Sequence, residues 1–475
     1  MTSILASFIT LLYIYTTISI ISVLLLENRN PVKSLSWLLI LVFLPILGMF
    51  FYLLFGQDYR RKKIISRKSI RRVIDRPVAS FAIDKLETIT KNDAHLKLIK
   101  LLYKNNESAC YANNKIDIYS DGETTFEALF EAIQNAKNHI HIQFFIFDDD
   151  RISNQLRELL IQKAHEGVRV RMIYDYWGSF NLSKKFLKSL HDAKVFTGPF
   201  LPFRWKISMS NKINYRNHRK LLIVDGKIGF TGGLNVADRY IYGNKLGIWR
   251  DTFVRFEGAA VHGLQLLFMI DWYFVDQNLL EGTNYFPAPV ECGKNLVQVV
   301  SSGPDTDWES IMQGIAAAIM SATKTVYIHS PYYMPTELVT GCIEMAALSG
   351  VDVRLMIPMK SDSRLSDASS FSYLGKSLEA GVRVFRYKTG FLHSKAIVVD
   401  DYISIIGSTN LDERSFDQNF EANAFVYDYE TASKLKELFL KDMEHCEELS
   451  LEAWSNRKRR QKLKESFARL FSPLM

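Results

Sequence analysis

The chain of 475 residues is poor in cysteine. Its four thiols (Cys110, Cys292, Cys342, Cys446) are scattered and include no C-x-x-C pair. That argues against a disulfide framework or a thiolate zinc site and fits a reducing compartment. Twelve prolines and 24 glycines are too few for a collagen-like or linker-like chain. No H-E-x-x-H, EF-hand loop or P-loop is present, so no metal or cofactor is expected. Disorder is excluded by what is there: 48% hydrophobic and 13% aromatic residues.

The central body also lacks basic charge. Of the net +8, residues 56–72 hold +7, residues 457–464 hold +6 and residues 1–55 hold +1, which leaves −6 for the remainder. A protein that grips nucleic acid carries its positive charge on the binding body. Two short basic blocks on an acidic body point instead to an anionic surface.

Charge is missing altogether from residues 4–26 and 35–55. Each run has the length of about 20 apolar residues that crosses a bilayer. The expectation is a two-helix transmembrane hairpin over 1–56. Basic residues crowd the stretch after the second run, which places residues 56–475 in the cytoplasm as part of a multi-pass membrane protein. A basic juxtamembrane and connecting segment, 57–107, follows. At the other end, 457–475 is a basic amphipathic tail. Leu463, Phe467, Leu470, Phe471 and Leu474 share one helical face there, either packed on the body or lying in a membrane interface.

The body between is an internal duplication. NHRKLLIVDGKIGFTGGLN (217–235) and LHSKAIVVDDYISIIGSTN (392–410) share H-x-K-x-x-x-x-D, then a pair of small residues, one residue and Asn. Upstream of each, a helical pattern is followed by a strand pattern, and a second helix stops at a glycine (Gly167, Gly350) before another strand. The expected fold class is α/β, with two similar domains, each a mixed sheet flanked by helices, over 108–290 and 291–456. One active site shared at their interface follows from the pseudo-symmetry.

In a strand, residues two apart face the same side, so His218 points with Lys220 and His393 with Lys395. Gly232-Gly233 and Gly407-Ser408 are small enough for backbone amides to approach an anion. Asn235 and Asn410 add amide donors. This set suits a phosphodiester. Two lysines, two asparagines and amides hold the developing phosphoryl charge, one imidazole attacks, and the other moves a proton. Asp225 and Asp400 complete the motif and are counted with the catalytic set, although their place at a strand end favours stabilising a turn. His139, His141 and His329, beside apolar strand patterns, are expected to be hydrogen-bonded structural residues.

The paired motifs resemble those of the phospholipase D superfamily. The segments RNPVKSLSWLLILVFLPILGMFFYLLFG, GGLNVADRY (232–240), WRDTF (249–253), SGPD (302–305), SPYYMP (330–335), GSTNLDERSFDQNFE (407–421) and RLFSPLM (469–475) extend the likeness to the bacterial cardiolipin synthases over nearly the whole chain. The resemblance implies phospholipase D-like domains. It also implies transfer of a phosphatidyl group between two phosphatidylglycerol molecules, through a phosphohistidine, to give cardiolipin and glycerol. Partners are then phosphatidylglycerol and anionic lipids, not nucleic acid.

Carried over, His218 is the nucleophile and His393 the acid and then base. Lys220, Lys395, Gly233, Asn235, Ser408 and Asn410 bind phosphate. The family also has an acid that orients each histidine. Counted from the histidine of the same half, Glu421 and Asp251 fit. A membrane phospholipase D, a transferase with another acceptor and, with less support from the charge distribution, a nuclease remain alternatives at this point.

Overall fold

The computed structural model describes residues 2–26, 31–52, 93–202 and 214–475. They belong to two compact units. One contains the N-terminal helices, and the other contains residues 93–202 and 215–475.

In the N-terminal unit, helices Thr2–Leu26, Pro31–Phe43 and Pro45–Phe51 surround a small core of Leu41 and Tyr52, against which Ile20, Trp37, Leu38 and Met49 pack. The expected transmembrane hairpin is not borne out. Among the described residues no helix is long and apolar enough to cross a membrane. The expected second span is two helices, of 13 and 7 residues, broken at Leu44 because Pro45 has no amide hydrogen to continue the ladder. In the first, Thr10, Thr16, Thr17, Ser19 and Ser22 interrupt the apolar run, and the Ser19 and Ser22 hydroxyls donate back to the carbonyls of Tyr15 and Ile18. The multi-pass placement drawn from that hairpin falls with it. The basic block at 56–72 lies outside the described residues, as does the expected connecting segment up to residue 92. Its remainder forms the helix Asp93–Asn106.

Among the described residues the strands all lie in the second unit. The first half contributes β1 (Cys110–Tyr119), β2 (His139–Phe144), β3 (Arg169–Asp175), β4 (Phe196–Phe200), β5 (Arg216–Asn217), β6 (Leu221–Val224), β7 (Ile228–Gly232), β8 (Ile248–Arg250) and β9 (Phe253–Glu257). The second contributes β10 (Asn295–Ser302), β11 (Thr325–His329), β12 (Tyr333–Met334), β13 (Asp352–Pro358), β14 (Arg383–Tyr387), β15 (Gly390–Leu392), β16 (Ala396–Val399), β17 (Ile403–Gly407), β18 (Leu411–Asp412), β19 (Asn419–Tyr427) and β20 (Cys446–Leu449). Within the main sheet the order β1-β9-β7-β6-β2-β3-β4 repeats as β10-β19-β17-β16-β11-β13-β14, with β20 added at the edge. Antiparallel pairing of β1 with β10 joins the two copies into one sheet. Both copies are mixed: β2, β3 and β4 run parallel, while β6 and β7 form an antiparallel hairpin beside β2. The duplicated α/β architecture is therefore present.

Each half has its own apolar core. Ile133, Ile142, Leu222 and Phe230 lie in the first, and Ile315, Val326, Leu355 and Val384 in the second. Helices Arg151–His165 and Glu337–Leu348 end where Gly167 and Gly350 take φ of +90° and +93°, turning the chain into β3 and β13. His139 and His141 are buried and share Gln265, at 3.1 and 2.9 Å. Burial lowers both imidazoles below their ordinary value, that of His139 to about 4.

Candidate active site

The hairpins β6–β7 and β16–β17 each begin directly after a motif lysine. Two further pairings, only two and three residues long, position the histidines. β5 lies parallel to β19, with Asn217 opposite Phe420, and the His218 amide donates to the Phe420 carbonyl at 2.9 Å. β15 lies parallel to β8, with Leu392 opposite Arg250, and the His393 amide donates to the Arg250 carbonyl at 2.7 Å. Each histidine is thereby laced to the opposite half beside an acid, Glu421 within β19 and Asp251 directly after β8.

The acids accordingly pair crosswise. His218 Nδ1 lies 2.9 Å from Glu421 Oε1, and His393 Nδ1 lies 2.6 Å from Asp251 Oδ2. This differs from counting each acid with the histidine of its own half. A proton held on Nδ1 by its carboxylate leaves Nε2 of each ring with the lone pair. Both imidazoles line one cavity of about 560 Å³.

The two dyads differ in their surroundings. The Ser408 hydroxyl donates to Glu421 Oε2, and Asn419 Nδ2 donates to Oε1 at 3.3 Å. Burial alone would raise the Glu421 carboxyl, but His218, Lys220 and Ser408 hold it below its ordinary value. At the equivalent place in the other half stands Gly233. A Cβ there would meet Asp251 Oδ1 at 2.2 Å, so the carboxylate occupies the space a side chain would need. Asp251 is pushed up to about 6 by burial, against the pull of Lys395 and Lys220. Burial also lowers both imidazoles, His218 to about 4 against the opposing charge of Glu421, and His393 well below its ordinary value, with Lys395 and Lys220 adding to the effect. At neutral pH the site thus holds neutral rings beside ionised carboxylates.

Asn235 and Asn410 line the same cavity as the histidines. Asn235 Nδ2 donates to Tyr240 Oη at 3.0 Å, and Asn410 Oδ1 is buried with no hydrogen-bond partner among the described residues. Lys220 and Lys395 sit close behind, with Nζ donating to the carbonyls of His218 and His393 at 2.6 and 2.5 Å. Burial brings Lys395 down to about 8 and Lys220 well below the ordinary lysine value.

Asp225 and Asp400 are not brought to the cavity. They sit at the far ends of β6 and β16, in the left-handed region at φ +54° and +50°. Asp225 accepts from the amides of Lys137, Asn138 and His139, and Asp400 from those of Thr323, Lys324 and Thr325. Each carboxylate clamps the start of the neighbouring strand to the hairpin turn.

Several residues of the site were not singled out from the sequence. Tyr240 Oη lies 3.3 Å from His393 Nδ1, and the Trp249 and His393 rings are 5.1 Å apart. Arg250 joins Asp442 at 2.8 Å and donates to the Asp251 carbonyl at 2.8 Å, so an ion pair between the halves supports the His393 dyad from behind. On the other side Arg219 pairs with Asp271 at 2.6 Å and donates to the Glu421 carbonyl at 3.1 Å. Arg239 and Arg414 also line the cavity. They stand four residues after Asn235 and Asn410, a symmetry the repeat itself carries.

Two copies of one motif, laced across a single sheet so that their imidazoles share a cavity, define a phospholipase D-like catalytic fold. A family model described as "Cardiolipin synthase, PLD-like domain" matches residues 129–246 and 315–443, and one described as "Phospholipase_D-nuclease N-terminal" matches 11–57. The chain is 40% identical over 459 residues to cardiolipin synthase 2 of Bacillus anthracis, covering 95% of this chain and 89% of that protein. It is 39% identical over 476 residues to the major cardiolipin synthase of Bacillus subtilis, covering 98% of each. Phosphatidylserine synthase of Haemophilus influenzae superposes with a TM-score of 0.61 at 14% identity, over 80% of this chain and 100% of that one, a likeness of fold. The chain belongs to the cardiolipin synthase family of the phospholipase D superfamily.

Proposed function

We propose that the protein is a phosphatidyltransferase that makes cardiolipin and glycerol from two phosphatidylglycerol molecules. The observation that carries this reading is the pair of crosswise acid–histidine dyads facing one cavity, in a chain nearly 40% identical to cardiolipin synthases from end to end.

His218 Nε2 attacks phosphorus while His393 gives a proton to the departing glycerol oxygen, so a P–N bond forms as a P–O bond breaks. The terminal hydroxyl of the second phosphatidylglycerol then loses its proton to His393 and attacks the phosphohistidine, restoring His218. Glu421, held ionised, balances the positive charge on the His218 ring in the intermediate. His393 must carry a proton at the first step, and its burial, with Lys395 and Lys220 nearby, disfavours it. An arriving phosphodiester brings the negative charge that reverses this preference. Asn235 and Asn410 face the phosphoryl oxygens and Lys220 and Lys395 lend positive charge from behind the rings, while Gly233 and Ser408, which do not line the cavity, make room for Asp251 and hold Glu421. Arg239 and Arg414 supply positive charge on the cavity wall for the phosphate of the second lipid. Both phosphodiester bonds are alike in energy, so the exchange needs no nucleotide.

Purified protein incubated with labelled phosphatidylglycerol alone, with products read by mass spectrometry, tests the reading. Cardiolipin with glycerol is the expected result, and phosphatidic acid alone would make the protein a hydrolase. His218→Ala and His393→Ala should each abolish turnover, and near-normal turnover in either would remove the two-histidine mechanism.

A further inference from the structure

We propose that the helix Arg459–Arg469 and the turn after it dock on an anionic lipid surface and hold the mouth of the active-site cavity against it. The inference deepens the phosphatidyl-transfer reading by naming the surface through which lipid enters.

The helix has two opposed faces. Its inner face carries Glu465 and Ala468, and Ser472 of the following turn continues it; all three are buried. Glu465 meets Arg457 at 2.9 Å, the Ser472 and Tyr373 hydroxyls are 2.7 Å apart, and the Arg469 guanidinium covers the Tyr373 ring at 4.2 Å. The two contacts with Tyr373 fix the helix to the neighbouring helix Arg364–Glu379. On the opposite face Leu463, Phe467 and Leu470 are 71%, 62% and 74% exposed, and Phe471 continues the strip at 38%. The side chain of Leu474, expected on the same face, lies outside the described residues. Spacings of three and four put these four residues on one stripe. The body packing therefore uses only one side of the helix and leaves an apolar strip outward.

The flanking charge identifies what covers that strip. Lys458, Arg459, Arg460, Lys462 and Lys464 are all exposed. The first turn holds no acid and the helix has no side-chain N-cap, so positive charge sits at the positive end of the helix dipole. That arrangement disfavours the helix in isolation. It also repels a second copy of the same patch. Apolar side chains inserted between lipids with their basic neighbours among anionic phosphates satisfy both halves of the surface at once.

The strip is continuous with the site. After the helix, the Pro473 carbonyl accepts from Gln418 Nε2 at 3.1 Å, and Met475 lines the cavity that holds His218 and His393. A surface bound at Leu463–Phe471 thus lies beside the entrance to the reacting groups.

The test places an environment-sensitive fluorophore on the full chain through L470C, with Cys292→Ser and Cys446→Ser removing the two half-buried thiols; Cys110 and Cys342 are buried. Vesicles of phosphatidylglycerol and phosphatidylcholine should shift the emission to the blue, saturably, and raised salt should reverse the shift. Vesicles of phosphatidylcholine alone should not produce it. Replacing Arg459, Arg460 and Lys462 by Glu should raise the vesicle concentration for half-saturation at least tenfold. No shift with anionic vesicles overturns the proposal. So does a shift that rises with protein concentration in the absence of vesicles, which would mean that a second copy covers the strip. The readout needs no turnover. His393→Ala should retain the shift, and a chain that shifts but makes no cardiolipin would defeat the functional reading and leave the docking surface standing.

Discussion

Gly233→Ala tests the asymmetry of the two dyads with a single methyl group. A Cβ at this position would lie 2.2 Å from Asp251 Oδ1. Ordinary contact begins near 3.4 Å, so the carboxylate must retreat by about 1 Å. The Asp251–His393 bond, 2.6 Å now, then stretches beyond hydrogen-bonding range. Loss of a charge-assisted hydrogen bond is worth about 1.5–3 kcal/mol, and a catalytic group misplaced by about 1 Å costs about 10²-fold in rate. The expected result is a folded protein whose kcat for cardiolipin formation falls roughly a hundredfold, with a thermal midpoint lowered by the few degrees that one lost hydrogen bond is worth. Initial rates on labelled phosphatidylglycerol in mixed micelles measure the first, and circular dichroism against temperature measures the second. Gly341→Ala is the control. It lies within the helix Glu337–Leu348 with no atom within 4 Å of the new Cβ, so turnover should be unchanged and stability equal or higher by about 0.5–1 kcal/mol. A folded Gly233→Ala variant turning over at the wild-type rate would refute the argument that the Asp251 carboxylate fills that space and orients His393.

The same dyad sets the acid limb of the pH profile. Asp251 must be ionised to hold the His393 proton, and its carboxyl titrates at about 6, so activity should fall as pH drops through about 6 and recover above it. Asp251→Asn should lower the plateau and erase that limb; an unchanged limb in the variant would assign it to another group. Asp225→Ala and Asp400→Ala should act on stability instead. Each leaves backbone amides without their acceptor, at about 1–3 kcal/mol, seen as a lower denaturant midpoint, while the folded fraction keeps near-normal turnover at low temperature. A large loss of turnover without loss of stability would return these carboxylates to the catalytic set.

The duplicated halves were legible because the motif repeats with a fixed register, and the β-branched runs LLIV and AIVV form β6 and β16 in full. Pairing of the acids was not legible by counting along the chain. It is decided by β5, β8, β15 and the start of β19, stretches of two or three residues that carry no periodic signal. Arg239 and Arg414 were within reach, since each lies four residues beyond its asparagine. Nothing in the spacing, by contrast, marks Tyr240, for Ser415 stands at the equivalent place in the second half. The transmembrane expectation failed for a different reason. An uncharged run of the right length does not register that Pro45 ends one helix and starts another.

Crosswise pairing changes what the duplication means physically. Had each histidine taken its acid from its own half, the two halves could slide against each other and keep both dyads intact. Here β5 is bonded to β19 and β15 to β8, so any relative motion of the halves pulls His218 from Glu421 and His393 from Asp251 together. The continuous sheet through β1 and β10 opposes such motion, and the buried Arg250–Asp442 and Arg219–Asp271 pairs brace the strands behind each dyad. Breaking one partner of such a buried pair costs about 3–5 kcal/mol, comparable to a large share of a domain's stability. The proposed chemistry requires two imidazoles held at opposite sides of one phosphorus while it changes partners. A site built from two halves meets that requirement only if the seam between them holds, and the strand exchange ties the seam directly to both dyads.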